Sequence, residues 1–509
     1  MVCNSAMLDA SNSSKSISGP TACLCAFFSL SCAIAFAPPT QAQTPPHLDA
    51  SGWTVFIPSA DTHVIYVSNS TGRDTNTGRS ASAPVKTISK GVSLLRSGYP
   101  DWLLLKKGDT WTNESIETAP GDNFGKGGKS AVQPMLISSY GTGPRPLIKT
   151  ANGKPGIFFI GGSAGNYVAV VGLEFYAYQR DPANPSYVGD ANLLNGPGLF
   201  QYNSFNWQLV EDCKFSFYGD DLTYSGLAAG ANLSLRRNEI LDAYNPDTTA
   251  HSQGIYAENI SGLLLEENLF DHNGWNDKVV GAERNIFNRN VYLQWNTTNV
   301  TARGNIIARS SSEGIQFRSG AIVENNFFVR NSYGFDVGHN ENDPTTTYAQ
   351  ISNNVITESD DINPVTAPRG AGINFLNARG PNVRATNNII AHSASMNPVN
   401  SIATMLDAPG AGSAGTSAVA IIGNIIFDWP KAYSDQGIGN TLSNAVNVKQ
   451  LYPNPNRSAA SYAGSIGLAA SLDAFLTAAR GQSKDNWNAQ LMANAVNNYI
   501  RTGFGIAPR

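Results

Sequence analysis

The chain is poor in charge, and after residue 37 it has neither a basic run nor a long apolar run. Asp, Glu, Lys and Arg make up only 14% of its 509 residues, too few to solvate the outer faces of long helices, which argues against a helical bundle. Lys and Arg total 34 against 38 Asp and Glu, giving a net charge of -4, so nucleic acid is not an expected partner. Cysteine is scarce as well. Cys3, Cys23, Cys25 and Cys32 fall in the first forty residues and only Cys213 follows, so the mature fold is expected to have no intrachain disulfide. No HxxH or HExxH spacing occurs, which leaves a zinc site without support. What is plentiful is Gly (48) and aromatic residues (10%), a composition suited to short strands, tight corners and stacked side chains.

Residues 21–37 (TACLCAFFSLSCAIAFA) are apolar, follow a stretch whose only basic residue is Lys15, and lead into Pro38, Pro39 and a small-residue site ending at Ala42. Residues 1–42 are therefore read as a secretory signal peptide, with a membrane anchor as the rival. The expected destination is the periplasm or the medium, with no membrane association after signal removal. A chain of this length either splits into domains or grows in one dimension as a solenoid.

The second outcome is favoured by a repeat. A short apolar segment carrying Asn before two apolar residues returns as LRRNEI, LEENLF, ARGNII, VENNFF, ISNNVI, ATNNII and IIGNII, placing Asn238, Asn268, Asn305, Asn326, Asn354, Asn388 and Asn424 in one register. VVGLEF and VEDCKF fit the same register with Leu173 and Cys213 in the Asn slot. The intervals run from 21 to 37 residues, as expected of a coil whose strands are fixed while its loops vary. At a corner, the Asn amide can donate to one neighbouring coil and accept from the other, replacing ladder bonds lost at the bend. The expected fold is all-β: a right-handed parallel β-helix solenoid with an N-terminal capping helix and C-terminal helices. A sandwich or propeller fits less well, because propeller repeats are more regular and sandwiches do not repeat. The helices are read from Ile88, Val92 and Leu95 at the head, and from Leu472, Phe475, Leu476, Ala479, Leu491, Ala495, Tyr499 and Ile500 in the tail. The expected organisation is 43–112 N-terminal cap region, 113–430 parallel β-helix and 431–509 C-terminal extension.

The opening IYVSNSTGRDTNTGRSASAPVKTISKG…LLLKKGDTW and the NNII-type coils resemble the pectate-lyase-like superfamily of exported parallel β-helix proteins over most of residues 64–430. That fold hosts lyases, hydrolases, epimerases and adhesins, so the resemblance implies architecture more than reaction. The stretch NVYLQWNTTNVTARGNIIARSSSEGIQFRSGAIVENNFF is also similar to the active-site coils of chondroitinase B-type and alginate-type polysaccharide lyases, where FRSG places Arg318 on an active-site arginine. Where that family carries its catalytic lysine this chain has Trp295 or Asn296, and the acidic calcium ligands fall near Asn288 and Asn290.

Aligning GIYAE, NVYLQ, GIQFR, GFDVG and GINFL puts Tyr256, Tyr292, Gln316, Asp336 and Asn374 in one outward column, with Glu258, Gln294 and Arg318 beside it. For each residue taken singly, a solvated strand position is the plain alternative. Together with Asn290 and Trp275 these residues suit a polysaccharide or oligosaccharide ligand, with phenol faces and amides for a sugar and a guanidinium for a uronate carboxylate. In β-elimination a base removes the proton α to the carboxylate while a cation stabilises the charge that forms. Arg318 suits the second task. Tyr292, Tyr256, His272, His251 and Lys278 are the candidates for proton transfer. His339 is a weaker one, and each histidine is equally readable as a corner residue.

The leading expectation is a secreted polysaccharide lyase acting on a uronate-containing glycan. The alternatives are a glycoside hydrolase using paired carboxylates, for which FYGDDLTYSG offers Asp220 and Asp221 with Asp336 or Glu258, and a non-catalytic carbohydrate-binding surface protein. No cofactor is expected. Asp271, Asp277 and the Asn-rich loops leave room for calcium without an EF-hand spacing, and the DTNTG loop near residue 74 is read as Asx turns. A monomer is expected.

Overall fold

The computed structural model describes residues 47–509 apart from 120–122, 227–228, 248–250, 339–343, 363–368, 393–400, 409–413 and 435–437. The leader at 1–42 and His339 lie outside the described residues.

Every named strand pairing is parallel, and the chain winds as a right-handed parallel β-helix of three faces. The first face begins with Val64–Val67, Trp102–Lys106 and Met135–Tyr140 and ends with Ala420–Phe427 and Thr441–Val446. The second stacks short strands from Thr110–Thr112 and Leu147–Lys149 to Ile389–Ala391. The third is a separate 10-stranded sheet from Ile157–Phe159 to Lys431–Tyr433. Coils thus occupy part of the expected cap region and continue past residue 430.

The corner between the first two faces explains the repeat. The residue before each ladder asparagine takes a left-handed backbone, as at Arg237 (φ 52°), Glu267 (54°), Asn325 (54°) and Asn353 (61°), which turns the chain within one residue. The amide then does what the bend prevents the backbone from doing. Asn268 Nδ2 donates to Asn305 Oδ1 at 3.0 Å and to the Leu235 carbonyl at 2.8 Å, while Asn268 Oδ1 accepts from the Asn238 backbone N–H and from Asn238 Nδ2. Equivalent rungs run through Asn326, Asn354, Asn388 and Asn424 and extend one coil further than the sequence repeat, to Asn444. Cys213, fully buried and unbridged, fills the slot below Asn238 and receives the amide oxygen at its own N–H, 3.0 Å away. The inward residues build one continuous core along the coil, among them Ile240, Phe270, Ile307, Phe328, Ile356 and Ile390.

The capping helix, Ile88–Ser93, is as expected: Thr87 caps its N-terminus, and Ile88, Val92 and Leu95 are buried over the open end of the core. The nearby loop does more than turn, since Asp74 accepts the backbone N–H groups of Lys86 and Thr87 and fixes the entry to that helix. The tail helices Leu472–Ala479 and Ala493–Gly503 do not close the C-terminal end of the coil. They lie along the second face, packed on Leu269, Ile306, Phe327, Val355, Ile389 and Ile425. The reason is in the repeat: of the two apolar residues after each Asn, the second faces the core and the first faces out, so this face needs a cover.

Candidate functional site

The third face carries the candidate site. Its strands pair Tyr256 with Tyr292, Tyr292 with Gln316, Gln316 with Asp336 and Asp336 with Asn374, so residues dozens of positions apart form one outward column. Gln294 links the neighbouring column to it: Arg318 Nη1 donates to Gln294 Oε1 at 2.8 Å, and Gln294 Nε2 lies 3.3 Å from the Tyr256 hydroxyl and 3.4 Å from that of Tyr292. Tyr256 donates in turn to Glu258 Oε2 at 3.1 Å.

Simple alternation fails at the start of these strands. Gly254, Gly314, Gly334 and Gly372 share a register with Asn290, and here the chain bends so that two successive positions face inward. A Cβ on Gly314 would stand 2.4 Å from the Gly334 carbonyl oxygen, and one on Gly372 would stand 2.5 Å from that of Ala403. Asn290 is accommodated by joining an inner amide ladder, accepting from Asn273 Nδ2 at 2.8 Å and donating to the Ala308 carbonyl at 2.9 Å. It is fully buried, which removes it from the substrate-facing set.

The same bend turns the preceding residues outward, a second column of Asp220, Gln253, Arg289, Glu313 and Tyr333 that alternation had not exposed. Glu313 is gripped by Arg289 at 2.7 Å and faces Arg369 at 3.8 Å. The guanidiniums of Arg289 and Arg318 lie 4.7 and 4.8 Å from the centre of the Tyr292 ring, and that of Arg369 lies 5.4 Å from Tyr333. A Gly or Asn before the first apolar residue of each strand (QGI, RNV, EGI, YGF, AGI) was the signal for the bend.

Asp336, 2% exposed, accepts from Gln316 Nε2 at 3.1 Å and from Asn374 Nδ2 at 3.4 Å. Burial first, and then the charge of Glu313, hold its carboxyl well above the usual range; Arg289, Arg369 and Arg318 offset this only in part. Two neighbouring acids are thus held differently, one with its carboxyl raised by burial and one ion-paired. Burial also pushes the Tyr256 phenol up to about 12, with the charge of Glu258 adding to the effect, which makes it a poor base near neutrality.

The remaining expected residues lie elsewhere. His272 and Trp275 follow the second face, with their rings 4.3 Å apart, in a network that joins the coil to the tail helices. His272 Nδ1 is 3.0 Å from Asp242, and the Trp275 indole donates to the Arg309 carbonyl. Lys278 is exposed on that same connection. Asp271 spends its carboxylate on Arg309 and Arg480, and no group of three or more His, Cys, Asp or Glu side chains suited to a metal occurs among the described residues. His251 is exposed at the rim of a cleft on the third face, ahead of the Tyr256 strand. Asp220 and Asp221 point opposite ways, Asp220 into that cleft and Asp221 into the interior, where it is fully buried. In place of the family's catalytic lysine, Trp295 is 46% exposed and Asn296 accepts the Asn259 backbone N–H at a corner.

No family model matches this sequence, and no curated protein matches it. Solved structures similar to it include the GH136 lacto-N-biosidase from Eubacterium ramulus, at 12% identity and TM-score 0.48, covering 76% of this chain and 68% of that one. Two others are XylC with xylose (12%, TM-score 0.45, covering 75% and 86%) and an alginate lyase from a Paenibacillus species (16%, TM-score 0.33, covering 75% and 96%). The winding itself is read from this chain's own parallel strand pairings.

Proposed function

We propose that the protein is a glycoside hydrolase, with Asp336 giving its proton to the leaving glycosidic oxygen and Glu313 as the companion carboxylate that stabilises positive charge at the anomeric carbon. The observation that carries this reading is the contrast within the pair: Asp336 is buried among the amides of Gln316 and Asn374, with its carboxyl raised by that burial, while Glu313 is ion-paired with Arg289 at 2.7 Å. Tyr256, Tyr292, Gln316 and Asn374 supply ring faces and hydroxyl-matching groups around it.

A uronate lyase is the second reading, favoured by a specific arrangement. Tyr292 lies against both Arg289 and Arg318, so a proton leaving its phenol would do so beside two cations, and Arg318 is placed to meet a uronate carboxylate. Incubation with a panel of neutral and acidic polysaccharides separates the two. New reducing ends without ultraviolet absorption indicate hydrolysis; unsaturated, ultraviolet-absorbing products indicate elimination and overturn the hydrolase assignment. In the hydrolase, Asp336→Asn and Glu313→Gln each lower kcat by about 10²- to 10⁴-fold. Arg318→Ala has the smaller effect, whereas in a lyase it has the larger.

A further inference from the structure

The two outward columns that meet at the acid pair continue toward the N-terminus, beyond the residues used above. Phe200 pairs with Thr223 and Thr223 with Tyr256, in the column of Asp336; Asp220 stands in the column of Glu313. Beside Phe200, Thr223 and Asp220 the wall opens into a cleft of about 230 Å³, lined also by Asn195, Asn245 and His251. The exposed ring of Phe287 extends its rim, meeting His251 edge-on at 5.4 Å between centroids.

We infer that this cleft is a second sugar-binding site, taking one uncharged unit of the same glycan chain that is cut at the acid pair. The inference rests on the hydrolase reading for its second clause only. Phe200 offers an apolar wall for a ring face, and hydroxyl, amide, imidazole and carboxyl groups converge around it, which is the inventory a sugar's hydroxyls require. Among the described residues lining the cleft none is Lys or Arg, whereas Arg289, Arg318 and Arg369 surround the acid pair. A uronate carboxylate would meet Asp220, and Arg180, whose charge reaches Asp220, is buried with its guanidinium spent on the carbonyls of Phe217, Leu194 and Tyr244. Asp220 Oδ1 accepts the Gln253 backbone N–H at 2.6 Å, which orients the carboxyl. Burial raises that group to about 7, so at neutral pH and below it can donate to a sugar oxygen as well as accept. From the Asp220 strand to the Glu313 strand is three steps along the sheet, about 14 Å, a distance that an oligosaccharide bridges and a disaccharide does not.

The test is calorimetric titration of the full chain carrying Glu313→Gln with xylohexaose, cellohexaose, mannohexaose and hexagalacturonate, and with the matching disaccharides. The expected result is that at least one neutral hexasaccharide binds about tenfold or more tightly than its disaccharide, and that His251→Ala and Phe200→Ala each weaken the hexasaccharide by about tenfold. His251 is exposed, so its replacement leaves the fold intact. Equal affinity for the long and short ligands, affinity indifferent to both variants, preference for hexagalacturonate, or no binding by any neutral hexasaccharide would each overturn the cleft. Cleft-dependent binding of a neutral chain that the wild-type protein leaves uncut would instead overturn the hydrolase reading and leave the cleft standing.

Discussion

At the scale of single residues, the proposed acid Asp336 would set activity against stability. Its folded-state carboxyl stays protonated well above the range in which the unfolded chain ionises, so the unfolded state binds fewer protons and stability falls as pH rises through the ordinary aspartate range. Asp336→Asn is therefore expected to raise stability at pH 7 by on the order of 1–2 kcal/mol while lowering kcat by about 10²- to 10⁴-fold. Thermal melts at pH 3 and pH 7 check this: the gain must vanish at the lower pH. Asn326 is the opposite case. It is fully buried and bonded to both neighbouring coils, so Asn326→Ala leaves polar groups unpaired on each side and costs about 2–4 kcal/mol in denaturant melts. The ladder was legible in the sequence because a primary amide donates through its NH2 and accepts through its oxygen at once, and so recurs in every rung of the stack. Glu313 and Arg289 were not, because a bend at glycine inverts the facing that alternation implies.

Among the elements, the tail helices owe their position to charge as well as apolar contact. Arg480, at the end of the helix Leu472–Ala479, bonds Asp242 at 2.7 Å and Asp271 at 2.6 Å on the second face. Burial works against both carboxylates, yet Arg480, with His272 on Asp242 and Arg309 on Asp271, holds them below the usual range. Groups lowered in this way stabilise the fold above the unfolded-state aspartate range and lose that contribution as pH falls through it. Arg480→Ala should cost about 3 kcal/mol at pH 7 and much less at pH 3, measured by urea unfolding at the two pH values. Removing residues 459–509 altogether bares the apolar column from Leu269 to Ile425, and the expected outcome is aggregation, read by light scattering of the truncated protein. The face of Leu472–Ala479 was visible in its periodicity, whereas Ala493–Gly503 buries Ala493, Val496 and Ile500 and leaves Ala495 and Tyr499 half-buried. The resting place of both helices was not visible, since that depended on which of two adjacent apolar residues faces outward.

For the molecule as a whole, the winding was legible from variable spacing around a constant segment, and with it the Tyr256–Tyr292–Gln316–Asp336–Asn374 column. The candidates that fell away, His272, Trp275 and Lys278, sit on the long connection between the second and third faces, where no stack fixes the position of a side chain. This also has a consequence for how such a protein can change. Each third-face strand takes its alignment from the strand beneath it and not from the length of chain leading to it. Whole segments can be added to or trimmed from the connections while the acid pair stays in place, but losing one amino acid inside Glu313–Phe317 would swing Gln316 and its neighbours to the other side of the wall and dismantle the centre at a stroke.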